Sequence, residues 1–283
     1  MAKRIFLFVL TNIAVVLTIS VILAVLGVQP GSGLEGLMIF SLIWGMGGAF
    51  ISLQMSRWIA KRATGARLVD GQTGRQELDW VYATVQRLTQ QANLPMPEVG
   101  VYDSPEVNAF ATGPSKSRSL VAVSTGLLRS MRPNEVEGVL AHEVAHIANG
   151  DMVTMTLLQG VINAFVIFFA RVIAGFLSRN DDRPNYLVIY ALQIVLGILG
   201  GLITAWFSRY REFRADHGGA TLSGRENMAG ALKRLLANQE MVDTSHQALA
   251  TMKINGGPRN WAALWSTHPP LEARIAALEQ FQR

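Results

Sequence analysis

The stretch Pro133-Asn134-Glu135-Val136-Glu137-Gly138-Val139-Leu140-Ala141-His142-Glu143-Val144-Ala145-His146-Ile147 decides how the rest of the chain is read. Val136, Leu140, Val144 and Ile147 recur at helical spacing, which predicts a helix that packs that face inward. The helix is expected to open near Pro133–Asn134, with Asn134 as the cap and Glu137 three residues on. On a neighbouring face His142 and His146 stand one turn apart, so both rings can reach a single ion. Glu143 follows the first histidine directly, completing the pattern H-E-x-x-H. In that pattern zinc lowers the pKa of its water to about 7, the glutamate takes the proton, and a peptide carbonyl is attacked. The plainer reading, two histidines and a glutamate meeting on a helix by coincidence, is opposed by the strong periodicity and by what surrounds the motif.

The 283-residue chain has no cysteine, which excludes disulfides, thiolate ligands and a cysteine nucleophile. Any metal must therefore be held by nitrogen and oxygen, the donor set of catalytic zinc sites with an open position. Apolar residues make up 50% of the chain and charged ones only 16%, which points to a membrane protein. Four stretches, Ile5–Val28, Leu37–Leu53, Val153–Ala170 and Tyr186–Ser208, approach the roughly 20 apolar residues that span a bilayer as a helix. Lys3 and Arg4 before the first, Arg57, Lys61, Arg62 and Arg67 after the second, and Arg209 and Arg211 after the fourth mark one face as cytoplasmic. Both termini then lie on that side. A cleaved signal peptide is the rival for the first span, but its apolar run is long and no small-x-small site precedes Gln29. The net charge of +5 clusters beside spans, which favours anionic headgroups over nucleic acid as a partner.

The expected organisation is a transmembrane hairpin over residues 1–55, the first part of a catalytic domain over 56–151, a second hairpin over 152–208 and the second part of the domain over 209–283. An amphipathic helix is predicted over Gln76–Gln91 from Leu78, Val81, Tyr82, Val85 and Leu88. Short strands are predicted at Glu98–Tyr102, Val107–Ala111 and Ser119–Ser124, with Asp103–Pro105 and Gly113–Lys116 as turns.

A third ligand is sought in Arg211-Glu212-Phe213-Arg214-Ala215-Asp216, because the second hairpin carries the chain back after His146. Glu212 and Asp216 are one turn apart, so one can bind the metal while the other accepts the free ring N–H of a ligand histidine. Glu212 is assigned to the metal and Asp216 to the histidine. Two alternatives stand beside this: surface ion pairs with the neighbouring arginines, and His217 as the third ligand.

His142–His146, Glu212 and Asp216 followed by Gly218-Gly219, and Ser266-Thr267-His268-Pro269-Pro270 with Arg274 together resemble the HtpX family of membrane proteases. The likeness covers nearly the whole chain, and the family is similar to the membrane enzymes that trim prenylated C-a-a-X proteins. It implies a mainly α membrane protein of four transmembrane helices plus a cytoplasmic zincin-like catalytic domain with a small β-sheet. It implies one zinc ion per chain on His142, His146 and Glu212, Glu143 as catalyst, and Asp216 as the partner of His142. Asn108 matches the family's strand beside the active site, where a substrate backbone could add as a further strand. The implied activity is endoproteolysis of damaged or misfolded polypeptides in the bacterial inner membrane, as part of a stress response.

His268 reads two ways: it stabilises the tetrahedral oxyanion, or it braces the last helix near Pro269. Arg171, near the far end of the third span, is expected to snorkel to the interface. His246 reads as loop. A protease cutting within the bilayer is disfavoured because Arg132, Asn134, Glu135 and Glu137 make the motif's helix polar at its start. A scaffold in which zinc only holds the fold would have no need of Glu143.

Overall fold

A computed structural model of the chain describes residues 33–177, 185–250 and 266–280. In chain order these form α1 (Gly33–Thr64), β1 (Arg67–Val69), α2 (Gln76–Gln91), β2 (Glu98–Tyr102), β3 (Ala109–Ser115), β4 (Arg118–Ser124), α3 (Thr125–Ser130), α4 (Pro133–Asn149), α5 (Asp151–Leu177), α6 (Tyr186–Ser223), α7 (Arg225–Ala250) and α8 (Leu271–Gln280). The described residues are mainly helical with one small mixed sheet. Among the described residues, Gly36–Thr64, Asp151–Leu177 and Tyr186–Ser223 are long and apolar enough to cross a membrane. The span expected at Ile5–Val28 lies outside the described residues. His246, expected in a loop, falls within α7.

Two units are distinguished by their internal contacts, one from Met1–Met55 and Val153–Trp206, the other from Ser56–Met152 and Phe207–Arg283, each taken over its described residues. In the first, large apolar side chains stay exposed, among them Phe176, Leu187 and Ile194 at 67%, 78% and 65%. Water penalises such a surface and a hydrocarbon layer does not. Within it Gln159 donates to Asn163 at 2.8 Å and Thr204 donates to Gln159 at 3.3 Å, so α5 and α6 are joined by polar side chains. The Arg171 guanidinium lies over the Phe40 ring, 4.8 Å from its centroid.

The second unit is built on a sheet of order β1-β2-β4-β3, antiparallel except where β2 and β4 run parallel. β4 lies between β2 and β3, and its Leu120, Val121, Ala122 and Val123 are fully buried. The strand expected at Val107–Ala111 is displaced: β3 starts at Ala109 and continues to Ser115 through Gly113, which was expected in a turn, because a register shift between Thr112 and Ser115 absorbs the glycine within the strand. β1 has three residues, too few for a period to be read.

Val81, Val85 and Leu88 of α2, Val99 and Val101 of β2, Val121 and Val123 of β4, and Val136, Leu140, Val144 and Ile147 of α4 form one core. Each fully buried aliphatic side chain contributes about 1.5–3 kcal/mol, so the face of α4 next to its histidines is firmly held. The helix opens differently from the expectation. Arg132 is the N-cap, Pro133 occupies the first turn, and the Glu135 carboxylate accepts the Arg132 backbone N–H at 2.7 Å. Proline fits the first helical position, where its missing N–H costs nothing. Glu137 pairs instead with Arg87, at 2.8 Å.

Candidate functional site

The α4 helix carries His142, Glu143 and His146 and stops at Gly150, whose φ of 69° lies in the left-handed region that glycine adopts without strain. The turn lets α5 start at once with Asp151. Glu212 and Asp216 sit one turn apart on α6, both 2% exposed. Their helix comes close to α4: a Cβ on Gly218 would stand 2.7 Å from the Ala145 Cβ, so only glycine permits this approach.

His142 Nε2 and His146 Nε2 are 3.1 Å apart. Glu212 presents Oε2 at 3.5 Å from the first and Oε1 at 3.3 Å from the second. Ligand atoms about 2.1 Å from a tetrahedral ion lie about 3.4 Å from one another, so these separations fit a metal ion. Among the described residues, this is the cluster of histidine, aspartate and glutamate donors that could hold one. His217, the alternative third ligand, is exposed and stands outside the cluster.

A second set of charges surrounds the three. Asp216 Oδ1 is 2.9 Å from His142 Nδ1, and Asp151 Oδ2 is 2.6 Å from His146 Nδ1. A carboxylate on each Nδ1 favours a proton there and leaves the Nε2 lone pair available to an ion that the two rings could share. Arg274 of α8 donates to both Asp216 oxygens, from Nε at 2.7 Å and from Nη2 at 2.6 Å. Its Nη1 lies 3.2 Å from Glu212 Oε2, so one guanidinium ties both acidic residues of α6 together. His268 Nδ1 reaches the same Glu212 oxygen at 2.8 Å, with its side chain 64% exposed.

Burial works against charge on His142, but its bonds to Asp216 and Glu212 outweigh that and raise its pKa. His146 behaves likewise: burial opposes the proton, Asp151 and Glu212 hold it, and the pKa rises to about 10. Arg274 is held charged above its usual range, since bonding to Asp216 overcomes burial.

A cavity of about 890 Å³ opens on this cluster and is lined by Glu143, His142, Glu212, Asn108 and His268. His146 and Asp216 do not line the cavity but belong to the same cluster, His146 through its contact with Glu212 and Asp216 through its contact with His142. Asn108 is exposed and lies one residue ahead of β3, not within it; its backbone N–H donates to the Ser124 hydroxyl at 3.1 Å.

Two partners of the site have no role in the sequence reading, Asp151 and Arg274, the latter named there only among the residues that carry the family resemblance. Asp151 was the last residue of a predicted polar region and received no role. Arg274 carried a signal that could have been used: Leu271, Ile275 and Leu278 define an apolar stripe, and Arg274 occupies a position within it. A lone arginine there needs a buried acidic partner.

The family model for peptidase family M48 matches residues 75–282. "Protease HtpX" of Shewanella sp. (strain MR-4) is 52% identical over 289 residues, which cover 98% of this chain and 99% of that protein. "Protease HtpX homolog" of Methylacidiphilum infernorum (isolate V4) is 49% identical, covering 99% of each. The crystal structure of S. mikatae Ste24p is similar in fold, with a TM-score of 0.63 at 18% identity, over 98% of this chain and 66% of that one.

Proposed function

The chain belongs to peptidase family M48 and is a metallopeptidase, and on that premise we propose that it is a zinc endopeptidase of the bacterial inner membrane that hydrolyses misfolded or damaged membrane proteins at the cytoplasmic face. The observation that carries this reading is the cluster of the two Nε2 atoms, 3.1 Å apart, with the two Glu212 oxygens, one 3.5 Å from His142 and the other 3.3 Å from His146, and with Glu143 lining the cavity that opens on it. His142, His146 and Glu212 hold the ion. When bound, zinc polarises the scissile carbonyl and brings the pKa of its water near 7.

Glu143 takes a proton from the attacking water and passes it to the departing amine nitrogen. Asp216 and Asp151 hold the imidazoles in the ligand tautomer, and Arg274 keeps Asp216 ionised. His268 spends Nδ1 on Glu212, which leaves Nε2 to stabilise the oxyanion. β3 is an edge strand of the sheet, so a substrate backbone entering past Asn108 has unpaired groups to add to.

The orientation rests on charge. Four spans, the described three together with Ile5–Val28, place both termini and the residues 56–151 and 209–283 on the side of Lys3, Arg4, Arg57, Lys61, Arg62, Arg209 and Arg211. Those two segments form the catalytic domain, and residues 1–55 and 152–208 form two membrane hairpins. The relatives named "Protease HtpX" support polypeptides as the substrate class.

The test is hydrolysis of an unfolded protein by the detergent-purified chain, wild type against Glu143→Gln at matched zinc content. Loss of cleavage with zinc retained is expected; equal cleavage by both would defeat the proposal.

A further inference from the structure

Among the described side chains of the unit that holds α1 up to Met55, α5 from Val153 and α6 up to Trp206, Arg171 alone carries a formal charge. Its guanidinium lies over the Phe40 ring of α1, and its Nη1 is buried with no hydrogen-bond partner. Phe40 is itself buried and stacks on Trp44 with ring centroids 5.7 Å apart, so the cation rests on a fixed platform. Gly45 faces Ala164 and Gly160 faces Met46, so α1 and α5 run antiparallel. The same register sets Phe40 level with the turn Ile167–Arg171, and Ile167 packs against that ring. The guanidinium is therefore held beside its own turn of α5 and does not stretch past the helix end to water.

Helix length places this turn in a bilayer. With 27 residues α5 is about 40 Å long, against a hydrocarbon core of about 30 Å. A centred α5 leaves about 5 Å outside the core at each end, and Arg171, about 9 Å before Leu177, falls just inside the boundary. Ala170 and Ala174 pack on Ile189, which holds the start of α6 at the same depth. There Tyr186 and Tyr190, one turn apart and both exposed, are near enough to act on the arginine's charge. Phe176, Leu177 and Leu187 are exposed around them.

A cation in this position needs an anion, since burial without one is costly. Phosphate fits the fork of guanidinium N–H donors. The exposed apolar side chains beside it are covered by hydrocarbon, so the ligand must join phosphate to acyl chains. A second copy of this chain is a poor match, because the described side chains of this unit include no carboxylate. We propose that Arg171, Phe40 and the Tyr186–Tyr190 turn form a binding site for one anionic phospholipid, whose phosphodiester pairs with the guanidinium while its acyl chains lie along α5 and α6. The site depends on the helices crossing a bilayer and is independent of peptidase activity.

The experiment uses the full-length, zinc-loaded chain in a non-ionic detergent. Phosphatidylglycerol, phosphatidylcholine or inorganic phosphate is titrated in, and bound molecules are counted by native mass spectrometry. Wild type is expected to hold one phosphatidylglycerol more than Arg171→Gln; lipid bound elsewhere cancels in this comparison. It should hold that lipid about fivefold or more tighter than phosphatidylcholine, whose choline cation offsets the phosphate. Arg171→Lys keeps the charge without the fork, and Phe40→Leu removes the platform, so both should bind with intermediate strength. Equal counts in wild type and Arg171→Gln would overturn the site. That is the outcome if Glu35, Asp181 or Asp182, whose side chains lie outside those described, neutralises the arginine instead. Displacement of the lipid by inorganic phosphate would overturn the lipid assignment. Should Arg171→Gln lose its zinc and so report misfolding, the Arg171→Lys and Phe40→Leu variants decide: lipid binding unchanged in both would equally overturn the proposal.

Discussion

His146 Nδ1 and Asp151 Oδ2 lie 2.6 Å apart although the two residues belong to different helices. The left-handed turn at Gly150 ends α4 and starts α5 within one residue, which swings the carboxylate back onto the ring. Asp151 is itself held, since Arg211 Nη1 donates to its backbone carbonyl at 3.1 Å and stands 3.7 Å from its carboxylate.

Removing this carboxylate frees the His146 ring to choose the wrong tautomer. Asp151→Ala is expected to weaken metal affinity by about 10- to 100-fold, measured by competition with a chelator. Unchanged affinity would show that the contact does not orient the ligand.

Arg274 is 6% exposed and neutralises Asp216 and Glu212. Arg274→Met leaves these buried carboxylates without their cation, at a cost of about 3–5 kcal/mol. Thermal unfolding in detergent should show a lower midpoint. Arg274→Lys keeps the charge but not the fork that binds both Asp216 oxygens, so an intermediate loss is expected.

Gly218 sets the distance between α6 and α4. Gly218→Leu drives a side chain into Ala145, whose Cβ lies 2.7 Å from the position of a Cβ there. Overpacking of this kind costs about 1–3 kcal/mol, and the helix shift that relieves it moves Glu212 away from the histidines. Zinc stoichiometry after dialysis should fall. A fully loaded variant would mean that the helices adjust without disturbing the ligands.

Metal uptake should release protons. Without the ion, His146 keeps a proton up to about pH 10, so at neutral pH it must give one up to bind, and the raised pKa of His142 acts in the same direction. Affinity should therefore climb with pH through the neutral range. The raised pKa values also stabilise the metal-free fold fully below about pH 6.5, the ordinary histidine value, and this contribution is lost as pH rises toward about 10. Zinc titrations in buffers of different ionisation enthalpy read the proton count; a count of zero would contradict this account.

Helix α2 could be read from the sequence to its last residue, because Val81, Val85 and Leu88 mark a buried face at helical spacing. β3 could not, since its bulge breaks the alternation that identifies a strand. The cap of α4 was misplaced by two residues, as Asn134 and Glu137 mimic the spacing that Arg132 and Glu135 use. Local patterns of this sort are ambiguous within a turn, and packing decides between them.

By itself the sequence determined which helix faces are apolar, which segments are apolar enough to cross a membrane, and that His142 and His146 share a side of one helix. These follow from local geometry, a repeat of 3.6 residues and a rise of 1.5 Å. Only the tertiary structure decided that Asp151 serves His146, that Arg274 joins Asp216 to Glu212, and that the α7 face opens beside Glu143. Periodicity states where a side chain points along its own helix, but its partner is chosen by close packing between segments far apart in the chain.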